Sequence, residues 1–194
     1  MLKAKHCTLL LLRAPHPTTG VDSLLLGRKL RGFGAGKLNG FGGKVDPGEP
    51  LLAAALREMR EESGCAVPPQ AARHVGHLLF TFEGRAQEEL HVHVFAAAGG
   101  YAGVPADSEE MAPSWWPTQT PPYDSMWADD AHWLPLLLAG KRFRGAFHFD
   151  GHSTILRQQL REVAEGEHVC ELAPDASTAV LVPAGAAPQG AIDF

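Results

Sequence analysis

Cysteine is scarce in this 194-residue chain, and Cys7, Cys65 and Cys170 are too far apart to make a C-x-x-C pair. A disulfide framework or a thiolate metal cluster is not indicated, and a reducing, cytosolic setting is expected. No apolar run approaches the roughly 18 residues that a spanning helix needs. The short run Cys7–Leu12 follows two lysines but lacks a small-residue cleavage pattern after it; it reads as a first strand rather than a targeting segment. Basic residues are also in deficit, 17 Lys and Arg against 22 Asp and Glu. A net charge of −5 argues against stable nucleic-acid binding, which depends on neutralising phosphates. The spacing of a P-loop, of a Rossmann turn and of a G-x-S-x-G elbow are all missing, and no internal repeat is present.

What remains, with 45% apolar and 20% charged residues, fits one globular domain. Residues 3–13 and 22–28 have the length and apolarity of strands, joined by the turn-rich "APHPTTGVD". "HVGHLLFTFEG" and "LHVHVFAAAGG" alternate as strands do. "SEEMAPSWWP" is expected at a sheet edge because of Pro113. A helix is predicted through "DDAHWLPLLLAG", with Asp129 as N-cap, Gly140 as its stop and Pro135 as a kink. "KRFRGAFHFDGHSTILRQQLREV" contains an Asp-Gly hairpin turn, but the part after Ser153 fits a strand or a capped helix. From Ala164 Ala, Pro and Gly dominate. We therefore expect a domain over 1–163 and a partly disordered extension over 164–194.

Two segments stand out. Residues 27–44, "GRKLRGFGAGKLNGFGGK", contain seven glycines, five basic residues and no acid. Residues 50–63 lack internal Gly or Pro and begin at a proline suited to a first helical turn, so they predict a helix. On that helix Glu58, Glu61 and Glu62 fall within about 100° of one another, beside an apolar stripe of Leu52, Ala55, Leu56 and Met59. Such crowding costs a few tenths of a kcal/mol per pair, and it sits at the wrong end of the helix macrodipole. Arg57 and Arg60 offset part of the repulsion. A solvated face with ion pairs is the bland explanation; a site for a hard divalent cation is the other.

The spacing decides between them. Gly43, Glu49, Arg57, Glu58, Met59, Glu61, Glu62, Gly64 and Cys65 satisfy G-x5-E-x7-R-E-U-x-E-E-x-G-U, U being bulky and apolar, a pattern expected by chance on the order of 10⁻⁹ per window. It resembles the signature of the Nudix hydrolases. That resemblance implies an α+β fold, an α/β/α sandwich with a mixed, curved sheet between helices. It also implies hydrolysis of a nucleoside diphosphate linked to another group. Glu58, Glu61 and Glu62 would hold Mg²⁺ or Mn²⁺, with Glu110 and a carbonyl of Gly42 or Gly43 as further ligands, and Arg57 would orient a glutamate.

"RGFGAGKLNGFGGKV", "DSEEM", "MWADDAHWLPLLL" and "TILRQQLREV" extend the resemblance, over about residues 3–163, to the branch of the family that acts on oxidised purine nucleoside triphosphates. By that resemblance the substrates are 8-oxo-dGTP and 2-hydroxy-dATP, the products a monophosphate and pyrophosphate, and the effect a nucleotide pool cleared of mutagenic bases. Asn39, Asp129 and Asp130 would read the base edge and Trp127 would stack on it. Thr8, Lys29, Phe33, Phe80 and Trp133 would line the pocket. A small nucleotide would be the partner, with no membrane and no stable nucleic acid, and the chain would be a monomer.

Each of these residues also has an ordinary reading. Asp129 suits a helix N-cap, the tryptophans suit a core, Asn39 suits a turn and Lys29 suits a surface. Leu38 replaces an expected Trp, and His91 an expected acid. Residues 14–21 form a longer loop. A nucleotide sugar or a capped RNA end as substrate, and a non-catalytic nucleotide sensor, are the alternatives. Zinc at His91 and His93 is disfavoured because no third ligand lies nearby in sequence.

Overall fold

The computed structural model describes residues 3–85, 87–170 and 182–183. In chain order the strands are β1 (Lys3–Pro15), β2 (Asp22–Lys29), β3 (Leu38–Asn39), β4 (Ala72–Phe82), β5 (Glu88–Ala98), β6 (Met111–Pro117), β7 (Phe143–Asp150), β8 (Thr154–Glu162) and β9 (Val182–Pro183). Two α-helices, α1 (Leu51–Ser63) and α2 (Asp130–Leu138), accompany them.

The strands form one mixed sheet in the order β3-β2-β1-β5-β4-β7-β8-β9, with β6 on the free side of β2. β1 runs parallel to β5, and β4 parallel to β7; the remaining pairs are antiparallel. β6, with Pro113 opposite Gly27, is the edge strand expected, since a proline gives no ladder donor on its outer side.

The consecutive leucines of β1 explain the layers. Leu9 and Leu11 pack with Leu24, Leu26, Leu38, Trp133, Leu134 and Phe143. Leu10 and Leu12 pack on the other side with Leu25, Phe41, Ala55, Met59 and Phe95. An unbroken apolar run in a strand requires cover on both faces. Here α2 covers one face and α1 the other, which gives the expected α/β/α sandwich. Met59 of α1 is fully buried, a contribution of about 1.5–3 kcal/mol.

α1 begins one residue later than predicted, with Pro50 at the cap position, and ends at Gly64, whose N–H donates to the Arg60 carbonyl at 3.0 Å. Residues 154–162 are a strand: the Asp-Gly turn forms a hairpin, and β8 pairs along β7 from Asp150↔Thr154 to Phe143↔Glu162. The helical alternative fails because β7 has an unfilled edge that this segment completes.

The chain beyond Val163 continues along the sheet as far as Cys170. Arg142 donates to the Glu167 carbonyl at 2.6 Å and Arg144 Nε to the Val169 carbonyl at 2.7 Å, and Val169 is buried. Most of the extension expected over 164–194, namely residues 171–181 and 184–194, lies outside the described residues.

Candidate active site

The glycine-rich segment leaves β2 as a tight hairpin, in which Gly36 N–H donates to the Lys29 carbonyl and Lys29 N–H to the Lys37 carbonyl, both at 2.8 Å. It then runs against β1. Leu10 and Phe41 exchange backbone hydrogen bonds of 2.7 and 3.0 Å, and Thr8 N–H donates to the Gly43 carbonyl at 2.9 Å. A Cβ on Gly42 would overlap the Thr8 carbonyl, and one on Gly43 would lie 2.5 Å from Glu58 Oε1. These glycines are needed for close approach: they wedge the loop between a strand and a glutamate. Gly42→Ala is expected to cost about 1–3 kcal/mol by overpacking, seen as a lowered Tm; an unchanged Tm would refute this account of the loop.

The wedge brings the loop to the glutamates. Gly42 N–H donates to Glu62 Oε2 at 2.9 Å. Glu62 is only 5% exposed, and burial raises its pKa to about 7 despite the Gly42 bond and the nearby Lys29. Lys29 Nζ sits 3.7 Å from Glu62 Oε1 and 2.9 Å from Glu110 Oε2. The bonds that Glu110 accepts from Lys29 and Arg31 hold its carboxyl below the usual range.

Arg57 is the hub of the remaining acids. Its Nε and Nη2 clasp Glu49 at 2.9 and 3.0 Å, and its Nη1 reaches Glu58 Oε1 at 2.9 Å and Glu61 Oε2 at 3.3 Å. Glu49 belongs to the sequence pattern. Its carboxylate holds the guanidinium in a fork, and Asp46 N–H braces it at 3.1 Å. A two-point Arg–carboxylate bond fixes orientation as well as charge. Glu61 is the most exposed of the group.

Thr8, Lys29, Phe33, Asn39, Phe80, Trp127, Asp129, Asp130 and Trp133 all line one cavity of about 240 Å³, together with Gly42 and Gly43. Glu58, Glu62 and Glu110 stand behind Gly42, Gly43 and Lys29 rather than in its wall, and Glu61 does not line it either. The Thr8 hydroxyl is buried with no hydrogen-bond partner among the described residues. Phe33 stacks on Trp127 with ring centroids 5.0 Å apart. The indole also lies against Gly34, where a Cβ would come within 2.5 Å of it.

The carboxyl pair at the start of α2 differs from the capping role expected of Asp129. Asp129 has helical dihedrals and makes no side-chain cap. Its Oδ2 accepts instead from Trp133 Nε1 at 2.9 Å, while Asp130 Oδ2 accepts the Trp127 N–H at 2.9 Å. Both side chains are almost wholly buried. Burial raises the Asp129 pKa to about 6, and raises that of Asp130 strongly, with the neighbouring carboxylate adding to the effect. Trp133 is thus both core and support, stacked on Phe143. The Asn39 side-chain oxygen Oδ1 accepts the Gly40 N–H at 2.8 Å; the residue sits in β3 opposite Gly27 rather than in a turn, and it takes a place in the cavity wall.

The sequence missed Lys37, whose Nζ donates to the Met126 carbonyl at 2.8 Å and whose charge favours ionisation of Asp130. Lys37 also lines the cavity, as do Leu78, Leu90, Val92 and Phe149. The basic, glycine-rich composition was a signal for Lys37. The apolar wall had none, because strand pairing assembles it. Leu38, one of the departures, is buried in the core and is not in the cavity lining.

Comparison with known proteins agrees with this geometry. Residues 9–137 match the NUDIX domain family. The chain is 46% identical over 165 residues to the zebrafish oxidized purine nucleoside triphosphate hydrolase, covering 85% of this chain and 99% of the fish protein. It is 48% identical over 140 residues to the mouse protein of that name, covering 72% of this chain and 87% of the mouse one. The fold is shared with a MutT protein from Bacillus halodurans, with a TM-score of 0.67, 24% identity and coverage of 80% and 97% of the two chains. It is also shared with the NUDIX domain of Shewanella oneidensis NrtR, solved with ADP ribose, with a TM-score of 0.55, 17% identity and coverage of 72% and 88%. With its loop, its glutamate helix and nearly the whole length of the fish relative in common, the chain belongs to the Nudix hydrolase family.

Proposed function

We propose that this protein hydrolyses oxidised purine nucleoside triphosphates, 8-oxo-dGTP and 2-hydroxy-dATP among them, to the monophosphate and pyrophosphate. The observation that carries the reading is that one cavity is lined both by a buried carboxyl pair beside an indole and by the glycine loop that bonds the glutamate helix. A base and its phosphates need those two environments together. The vertebrate relatives, named for this activity, add support.

The donor set suits a hard divalent cation: carboxylate oxygens on one helix face, with a loop that no side chain obstructs. Glu58, Glu61 and Glu62 would hold Mg²⁺ or Mn²⁺, and Glu110 and a Gly42 or Gly43 carbonyl would add to the set. A cation held by these residues would supply neutralisation of phosphate charge and a more acidic water. Arg57 keeps Glu58 and Glu61 in place through its hydrogen bonds. Glu62, buried and held by the Gly42 N–H, would take a proton from the attacking water. Lys29 balances the charge of Glu62 and Glu110.

At the base, two adjacent buried carboxyls do not both ionise readily, so one donates a hydrogen bond while the other accepts. Such a pair can meet the altered edge of either an oxidised guanine or an oxidised adenine. Trp127 supplies stacking of about 1–3 kcal/mol.

The test is a panel of normal and oxidised nucleoside triphosphates with Mg²⁺, following monophosphate and pyrophosphate. Oxidised purines are expected to be turned over in preference to dGTP and dATP. Turnover of ADP-ribose or nucleotide sugars without turnover of oxidised purine triphosphates would overturn the assignment.

A further inference from the structure

The catalytic reading does not use the histidines of β1, β4 and β5. Leu78 and Val92 line the cavity; their neighbours His77 and His93, paired in register, point to the opposite face, because side chains alternate along a strand. There His6 Nδ1 lies 3.1 Å from His93 Nε2, and His77 Nε2 lies 3.1 Å from His91 Nδ1. The segment after β8 delivers Cys170 to this group, its Sγ 3.6 Å from His93 Nδ1 and 3.9 Å from His74 Nδ1. One ligand atom from each of His74, His93 and Cys170 falls within 4.8 Å of the other two. Sequence spacing argued against zinc at His91 and His93 for want of a third ligand. The fold brings two further ligands to His93 and leaves His91 outside the triplet.

We propose that His74, His93 and Cys170 form a second metal site, distinct from the glutamate cluster, for a borderline-soft divalent cation such as Zn²⁺. A tetrahedral Zn²⁺ with nitrogen at 2.0–2.1 Å and sulfur at 2.3 Å separates the two ligand atoms by about 3.6 Å. The two sulfur–nitrogen distances of 3.6 and 3.9 Å are already close to that edge. The other nitrogen of His93 faces His6, and an outer partner of this kind fixes the orientation of a ligating imidazole. Cys170 is exposed, so the site has an entry path. Binding releases the thiol proton as the Zn–S bond forms, and water completes the fourth position. The oxygen-rich glutamate set prefers harder ions, and among the described residues no ion pair joins it to these histidines.

The consequence is structural: the ion ties residues 164–170 to β4 and β5. The test uses the full chain, stripped with chelator and titrated with Co²⁺ alone. One equivalent is expected to produce a thiolate-to-cobalt charge-transfer band in the near ultraviolet, abolished by competing Zn²⁺. Cys170→Ser, a change at an exposed position, is expected to remove the band, whereas Cys7→Ser leaves it. His6→Ala is expected to weaken Co²⁺ affinity about 10–100-fold. Absence of the band in the unaltered protein, or its persistence in Cys170→Ser, would overturn the proposal. The glutamate cluster has no sulfur, so it cannot give this signal, and the result is independent of what the enzyme hydrolyses.

Discussion

Glu62→Gln is expected to lower kcat/KM about 10²–10⁴-fold, the range for loss of a positioned proton acceptor, with the fold retained. The amide oxygen can still accept the Gly42 N–H that now bonds Glu62 Oε2, so the loop keeps its anchor. Stability provides a second readout. Burial raises the Glu62 pKa from 4.5 to about 7, so between those values the folded protein holds a proton that the unfolded chain has lost. The carboxyl therefore lowers stability progressively as pH rises through that window, by at most about 3 kcal/mol above pH 7. In metal-free protein with chelator present, Glu62→Gln should remove this loss and make the variant the more stable of the two at pH 8. Unfolding measured in denaturant at pH 5 and pH 8 checks the sign, and steady-state kinetics checks the rate. Near-normal turnover in the variant would exclude the role given to this glutamate.

Asp129→Asn is expected to reduce kcat/KM about 10–100-fold for one oxidised purine more than for the other, the cost of one hydrogen bond to a charged group. The asparagine oxygen can replace Asp129 Oδ2 as acceptor for Trp133 Nε1, and no capping bond is lost because none exists. Tm should therefore change little. The pH profile should change as well. Burial raises the Asp129 pKa to about 6, so a base contact that needs its proton weakens as pH rises past that value, and one that needs the carboxylate strengthens. With asparagine that inflection should vanish from the KM profile. Kinetics with 8-oxo-dGTP and 2-hydroxy-dATP from pH 5 to 8 measures both effects. An altered Tm, with the substrate ratio and profile untouched, would return Asp129 to a purely structural role.

The parts of this molecule legible in the sequence are those governed by local chemistry. α1 announced itself through a run of strong helix formers without Gly or Pro, and its glutamates through their spacing. The Asp-Gly turn marked the β7–β8 hairpin. The segment after it was ambiguous, since "TILRQQLREV" satisfies two periodicities and the free edge of β7 chooses between them. The same limit applies at the cavity. Asn39, Asp129 and Asp130 could be singled out by resemblance, but the bond from Trp133 that replaces a cap depends on how α2 packs. Leu90 and Val92 enter the wall only because β5 lies beside β4. Cys170 is far in sequence from His74 and His93, and no local pattern could join them.

The parallel pairing of β1 with β5 has a consequence for the life of the chain before it is an enzyme. Lys3 meets Glu88 and Arg13 meets Ala98, so each rung must close a loop containing both the glycine-rich segment and α1. Long-range pairings of this kind are slow to form, because chain entropy is spent before contacts repay it. During synthesis from the N-terminus the first strand emerges early and waits, with the edge that β5 will take unpaired, until β5 follows. α1, whose contacts begin with its own neighbours, has no such delay. The nascent protein thus has its glutamate helix at hand well before it has the sheet on which that helix will act, and the interval between the two is when it is most open to aggregation.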